Sequence, residues 1–186
     1  MKEWVFFLEE LSARAMLEGL LPRIAPQPAD IRYIVFEGKQ DMEKQLVRRM
    51  RSYRNTDAHF IVIRDQDSGN CQMIKARLQQ FCIAAGRPNA IIRIACRELE
   101  SFYLADLIAV EQGLGVTGIA KRQTHHKFRT PDRLGSPSQE LQKLTSGRYQ
   151  KISGSRAIGS YLNIDNTRSH SFKILVEALR RTASEE

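Results

Sequence analysis

Four apolar runs, each closed by an acid and followed by a stretch with helical spacing, leave this chain few folds to choose from. The runs are "WVFFLE" (Trp4–Glu9), "IRYIVFE" (Ile31–Glu37), "FIVIRD" (Phe60–Asp65) and "AIIRIACRE" (Ala90–Glu98). Short, near-continuous apolar segments predict strands buried on both faces, as in parallel sheets. Between them, "SARAMLEGLLPRI" sets Met16, Leu17, Leu20 and Leu21 at helical spacing, with Ser12 as the expected N-cap. Asp41–Arg54 does the same with Met42, Leu46, Val47 and Met50, and Gln72–Ala85 predicts a third helix ended by Gly86 and Pro88. A fourth helix is expected from Glu100 to Gln112. Strand and helix alternating four times predict an α/β chain with a parallel sheet of about four strands, helices on its faces.

The alternation fades after Gly113. Residues 114–138, rich in Gly, Pro, Thr and basic side chains, read as a long loop or small insertion, and Ser169–Ala183 as a terminal helix. The expected organisation is an α/β core over 1–113 with a basic loop and helical extension, 114–186, packed on it. Charge divides along the same line. Residues 1–114 hold 16 Lys/Arg against 15 Asp/Glu, and 115–186 hold 13 against 6, so nearly all of the net +8 lies in the extension. A basic tract beside an acidic core suits a polyanionic partner. Its candidate phosphate contacts are Lys121, Arg122, Lys127 and Arg129 in "KRQTHHKFR", with Arg156 and His170 ahead of expected helices.

Several classes drop out. No apolar run approaches the roughly 20 residues that span a bilayer. Acids follow the short apolar run of "MKEWVFFLEE" at once, which is unlike a signal peptide. Cys71, Cys82 and Cys96 are odd in number, lack metal-ligand spacing and sit in apolar surroundings, so buried thiols in a reducing, cytoplasmic setting are expected. Phosphate-cradling Gly-rich loops are absent, which argues against ATP hydrolysis by this chain, and no nucleophile elbow is present.

The acids carry the chemistry. Ligands of open parallel sheets bind beyond the carboxyl ends of the strands. The ends here offer Glu9 and Glu10, then Glu37, then Asp65 and Asp67, then Glu98 and Glu100. One such acid alone suits the start of the next helix, where it complements the dipole. Seven on one edge would repel and raise one another's pKa values unless cations sit among them. Hard divalent ions with oxygen ligands, one or two Mg²⁺ or Mn²⁺, meet that need. An extended backbone lets only one of Glu9 and Glu10 face the site. Lys39, in "FEGKQD", is placed to contact a scissile phosphate.

An apolar strand ending in Glu, then a later one ending in Asp-x-Asp, resembles the TOPRIM (topoisomerase–primase) domain. More specifically, "LEELSARAMLEGLLPRI", "FEGKQD", "RDQDSGNC", "ACRELESFYLAD" and "SGSRAIG…RSHSF" are similar to domain-of-unknown-function family 4276, over nearly the whole chain. The resemblance implies a bacterial, TOPRIM-related protein, often encoded beside an AAA-type ATPase in loci attributed to anti-phage defence. It sets Glu9 at the TOPRIM glutamate, and Asp65 and Asp67 at the Asp-x-Asp. The usual glycine after the glutamate is Glu10 here, so which of the two faces the metal stays open. The function expected is a metal-dependent nucleic-acid phosphodiesterase. Asp65, Asp67 and Glu9 or Glu10 would hold Mg²⁺ or Mn²⁺, with Glu98 or Glu100 completing the set. The alternative is a non-catalytic nucleic-acid-binding or regulatory subunit of an ATPase complex.

Overall fold

The four apolar runs form one parallel sheet in the computed structural model of the chain, which describes residues 3–25 and 30–184. Strands β1 (Trp4–Leu8), β2 (Ile31–Val35), β3 (His59–Asp65) and β4 (Ile91–Ala95) lie in the order β2-β1-β3-β4. Trp4 stands opposite Ile31 on one side and His59 on the other, and Ile61 opposite Ile91. Each connection returns through a helix: α1 (Leu11–Ile24), α2 (Lys39–Arg51) and α3 (Cys71–Ala84).

Side chains alternate across the sheet. Trp4, Phe6, Leu8, Ile61 and Ile63 pack on one face against Met16, Leu17 and Leu20 of α1. Val5, Phe7, Phe60, Val62, Ile92 and Ile94 pack on the other against Met42 and Leu46 of α2 and Leu78 of α3. Residues 4–8 are all fully buried, which is why β1 shows no polar alternation. Cys82 is buried, and burial pushes its thiol up to about 11; Cys71 and Cys96 are only half-buried.

Three local expectations are corrected. Ser12 lies inside α1 and Glu10 takes the N-cap position, its backbone still extended from β1. The helix expected over Glu100–Gln112 is broken into α4 (Glu100–Leu104) and α5 (Leu107–Leu114). The break falls at Asp106, which leaves helical backbone and accepts the Ala109 N–H at 3.2 Å as the N-cap of α5. Residues 114–138 are a chain of short turns: 3₁₀ segments at Ala120–Thr124 and Pro131–Arg133 flank α6 (His126–Arg129), and α7 (Pro137–Leu144) follows.

Then come α8 (Lys151–Gly159) and α9 (His170–Ser184). Leu141, Tyr149, Ile158, Phe172, Leu175 and Leu179 complete the core that Trp4 and Phe6 begin, so residues beyond 113 share the apolar interior of the sheet. Helices α1 and α8 pack backbone to backbone. A Cβ on Gly159 would lie 2.5 Å from the Met16 carbonyl oxygen, and one on Gly19 would lie 2.6 Å from the Ser160 nitrogen. Among the described residues, no helix is long and apolar enough to cross a membrane.

Candidate active site

In the order β2-β1-β3-β4 the chain winds outward in opposite directions from β1 and β3, and the crevice beyond those two strand ends is the switch point of the sheet. A cavity of about 290 Å³ opens there, with five carboxylates on its walls: Glu10, Asp65, Asp67, Glu98 and Glu100. Tyr149, Lys151, Ser138 and Gln142 close it from the far part of the chain.

Strand parity places the first two acids. Asp65 is the last ladder residue of β3, paired with Ala95, and shares the parity of Ile61 and Ile63 that faces α1. Glu9 has the opposite parity, with Val5 and Phe7, and lies 3.9 Å from Arg64. Its Oε2 accepts the Asp65 backbone N–H at 3.1 Å. Glu10 therefore lines the cavity while Glu9 braces the Asp65 backbone from beneath.

Proton affinity follows depth. Asp65 keeps some surface at the cavity wall, but most of its surroundings are protein. Burial, then the charges of Glu100 and Glu9, hold its carboxyl well above the usual aspartate range. Burial also raises Glu9 and Glu100. Glu100 is 1% exposed, and Tyr149 donates its hydroxyl to it at 2.8 Å, which partly offsets the rise.

The rim acids are individually engaged. Asp67 accepts from Lys39 Nζ at 2.8 Å, and this bond and the Asp67 charge raise the lysine pKa. Glu98 accepts the Ser138 N–H at 2.7 Å, at the N-terminal turn of α7. Glu10 pairs with Lys151. Burial works against charge on Lys151, but the bond to Glu10 and the fields of Glu10, Glu100 and Asp65 outweigh it and raise its pKa. Glu37, at the end of edge strand β2, is exposed and outside the cavity. Among the described residues, no three His, Cys, Asp or Glu side chains converge as metal ligands do.

The loops after β3 and β4 are stitched together. Asp67 N–H donates to the Arg97 carbonyl at 2.7 Å, and the Gln66 side chain accepts the Arg97 N–H at 3.1 Å. Asp67 and Arg97 both hold left-handed backbone, φ 54° and 61°, a conformation that costs a non-glycine residue energy and gathers at functional sites.

The basic tract lies one helix away. Ser138 and Gln142 of α7 face the carboxylates, while Glu140 and Lys143 face a second hollow with Arg122, His125 and Lys127. Lys127 is tied to Glu140 at 2.7 Å, Arg129 donates to the Thr124 carbonyl at 2.8 Å, and Lys121 is exposed. Arg156 lies within α8 rather than ahead of it and pairs with Glu18 at 3.4 Å; His170 is the first residue of α9. Neither lines the carboxylate cavity. Tyr149 and Lys151 were not among the residues expected at the site. Single polar residues at the start of a helix carry no pattern, and only the packing of α8 on α1 brings them to the site.

The family model described as Domain of unknown function (DUF4276) matches residues 8–180. No curated protein and no solved structure matches the chain. The matched span runs from the end of β1 into α9 and includes every residue of the cavity, and the chain belongs to the DUF4276 family.

Proposed function

We propose that the chain is a nucleic-acid phosphodiesterase whose carboxylates hold one or two Mg²⁺ or Mn²⁺ ions. One observation carries this reading: five carboxylates from three segments of the chain line a single cavity at the switch point, with one lysine, Lys151, among them. The donor set suits a hard cation, since every acid offers oxygen and no thiol or imidazole lines the cavity. Glu10, Asp65, Asp67, Glu98 and Glu100 would hold the ion. Bound there, a divalent ion supplies an activated water and stabilises charge on the phosphate.

The chain's own residues do the positioning. Glu9 fixes the Asp65 backbone, Tyr149 fixes Glu100, and the stitched loops fix Asp67. Lys39 and Lys151 bracket the acids, and each can turn from its carboxylate to a substrate phosphate once a cation takes its place. The basic tract across α7 adds a sequence-independent attraction for polyanions. A cytoplasmic setting and an AAA-type ATPase partner in a bacterial anti-phage system belong to the same proposal, on the family resemblance.

The second reading, a non-catalytic regulatory or nucleic-acid-binding subunit, draws on the two lysines, which already serve as counter-ions to Asp67 and Glu10. The experiment is cleavage of plasmid DNA and of RNA by pure protein in Mn²⁺, beside calorimetry of Mn²⁺ binding. The wild type should bind the ion and cut. Asp65→Asn with Asp67→Asn should lose both, cleavage by at least about a thousandfold, with the fold intact. A wild type that binds no divalent ion at millimolar concentration would overturn the reading in favour of the second.

A further inference from the structure

Asp67 is a wall of two cavities. On its other side lies the larger, about 510 Å³, between the first turns of α2 and α3 and above the end of β3. Nothing in the phosphodiesterase reading uses it beyond Lys39 and Asp67. Its chemistry differs from that of the acid cavity: Lys39, Arg64 and Arg77 face it against Glu43 and Asp67.

Its apolar surface is Met73 and Ile74. Met73, in the first turn of α3, is 73% exposed, the most exposed of the large apolar side chains described. Ile74 lies against the preceding loop so closely that a Cβ on Gly69 would meet its Cδ1 at 2.8 Å. One helical turn beyond Met73, Arg77 stacks over Phe81 with its side chain 61% exposed, and bonds Glu43 at 2.9 Å. Lys39 is 48% exposed at the opposite wall. Gln40 and Ser68 add polar groups that both donate and accept. An apolar wall, cations at the sides and polar groups between them match one nucleotide: a flat base with a polar edge and an anionic phosphate.

We propose that this cavity binds one unpaired nucleotide of a nucleic-acid strand, its base against Met73 and Ile74 and its phosphate at Lys39 and Arg77. The placement of that nucleotide next to the cleaved phosphate rests on the phosphodiesterase reading, because Asp67 is the shared wall. The cavity itself does not. It has room for one nucleotide, and a base reaches Met73 and Ile74 only after leaving its duplex, so single strands are the favoured ligand.

The test is binding, read by fluorescence anisotropy of a short oligothymidylate, an oligouridylate and a matched duplex in metal-free buffer. The single strands should bind about tenfold more tightly than the duplex. Met73→Glu and Arg77→Glu should each lose about tenfold, the scale of removing one buried apolar or charged contact. Both side chains are exposed, so a melting curve should show both variants folded, Arg77→Glu slightly lower for the lost Glu43 pair. Equal binding by Met73→Glu, Arg77→Glu and wild type, equal affinity for duplex and single strand, or no strand binding at all would overturn the assignment. A wild type that binds strands through this cavity yet cuts nothing in Mn²⁺ overturns the phosphodiesterase reading and leaves the cavity's ligand standing. A wild type that cuts, with Met73→Glu and Arg77→Glu binding and cutting equally well, does the reverse.

Discussion

The two cavities that share Asp67 are assembled in opposite ways. The larger, basic one draws every wall from residues 39–77, a single α2–β3–α3 stretch whose Met42, Leu46 and Leu78 pack on the far face of the sheet. The acid cavity gathers residue 10, residues 65–67 and 98–100, and residues 138–151. One needs a supersecondary unit to be intact; the other needs the whole α1 face of the sheet to close, with α8 held against α1. Local assembly tolerates distant change, and long-range assembly transmits it.

The sharpest way to break that contrast is at the α1–α8 seam. Alanine at Gly159 gains up to about 1 kcal/mol of helix propensity. Its Cβ, however, would stand 2.5 Å from the Met16 carbonyl, a backbone atom that cannot turn aside. Overpacking of that kind costs about 3 kcal/mol, so Gly159→Ala should be destabilised by about 2 kcal/mol in a denaturant melt. Hydrogen exchange should quicken in α8 and around Tyr149 while α2 and α3 keep wild-type protection. Uniform loss across both regions would contradict the contrast.

A smaller effect should follow from Tyr149→Phe. The ring still fills its place, but Glu100 loses its hydroxyl donor in a buried setting. The expected cost is about 1.5 kcal/mol. That bond favours the ionised form of Glu100, so the loss should be greater at neutral pH than at acid pH. A pH-independent loss would mean that Glu100 stays neutral throughout.

The smallest effect carries the opposite sign. Asp65 binds its proton more tightly folded than unfolded. Its contribution therefore favours the native state at acid pH and is lost as pH rises from the ordinary aspartate range through the raised folded value. Asn keeps an acceptor for the local N–H groups and carries no charge. In metal-free buffer Asp65→Asn should match wild type at low pH and become more stable towards neutral, by about 1 kcal/mol. A variant less stable than wild type at neutral pH would make Asp65 a structural anion rather than a like-charge burden.

Sequence periodicity reads the basic cavity's frame and the acid cavity's carboxylates, but neither cavity as such. The four strands were legible because burial on both faces leaves unbroken apolar runs, and the acids stood out because each follows such a run. The Asp106 break was hidden, since an aspartate amid helical spacing looks like a surface residue until its carboxylate is seen capping Ala109. The turns over 120–133 are too short to show a period. Helix α8 was masked by Gly154 and Gly159, which read as breakers but serve as contact points: a Cβ on Gly154 would strike the Tyr149 ring at 2.6 Å. Met73 could have been noticed as an apolar residue at a helix start, but its exposure depends on where α2 ends up.

The reach of residues 138–151 across the sheet sets a timetable for synthesis. Chains fold from the N-terminus as they leave the ribosome, and all four strands are complete once Ala95 has emerged. At that moment the acid edge lacks Tyr149, Lys151 and the N-terminal turn of α7. A nascent chain thus carries the sheet, and the nucleotide-sized hollow beside it, well before its carboxylates are enclosed. Closure of the acid cavity has to wait until residues 138–151 are translated, which separates forming the sheet from finishing the site.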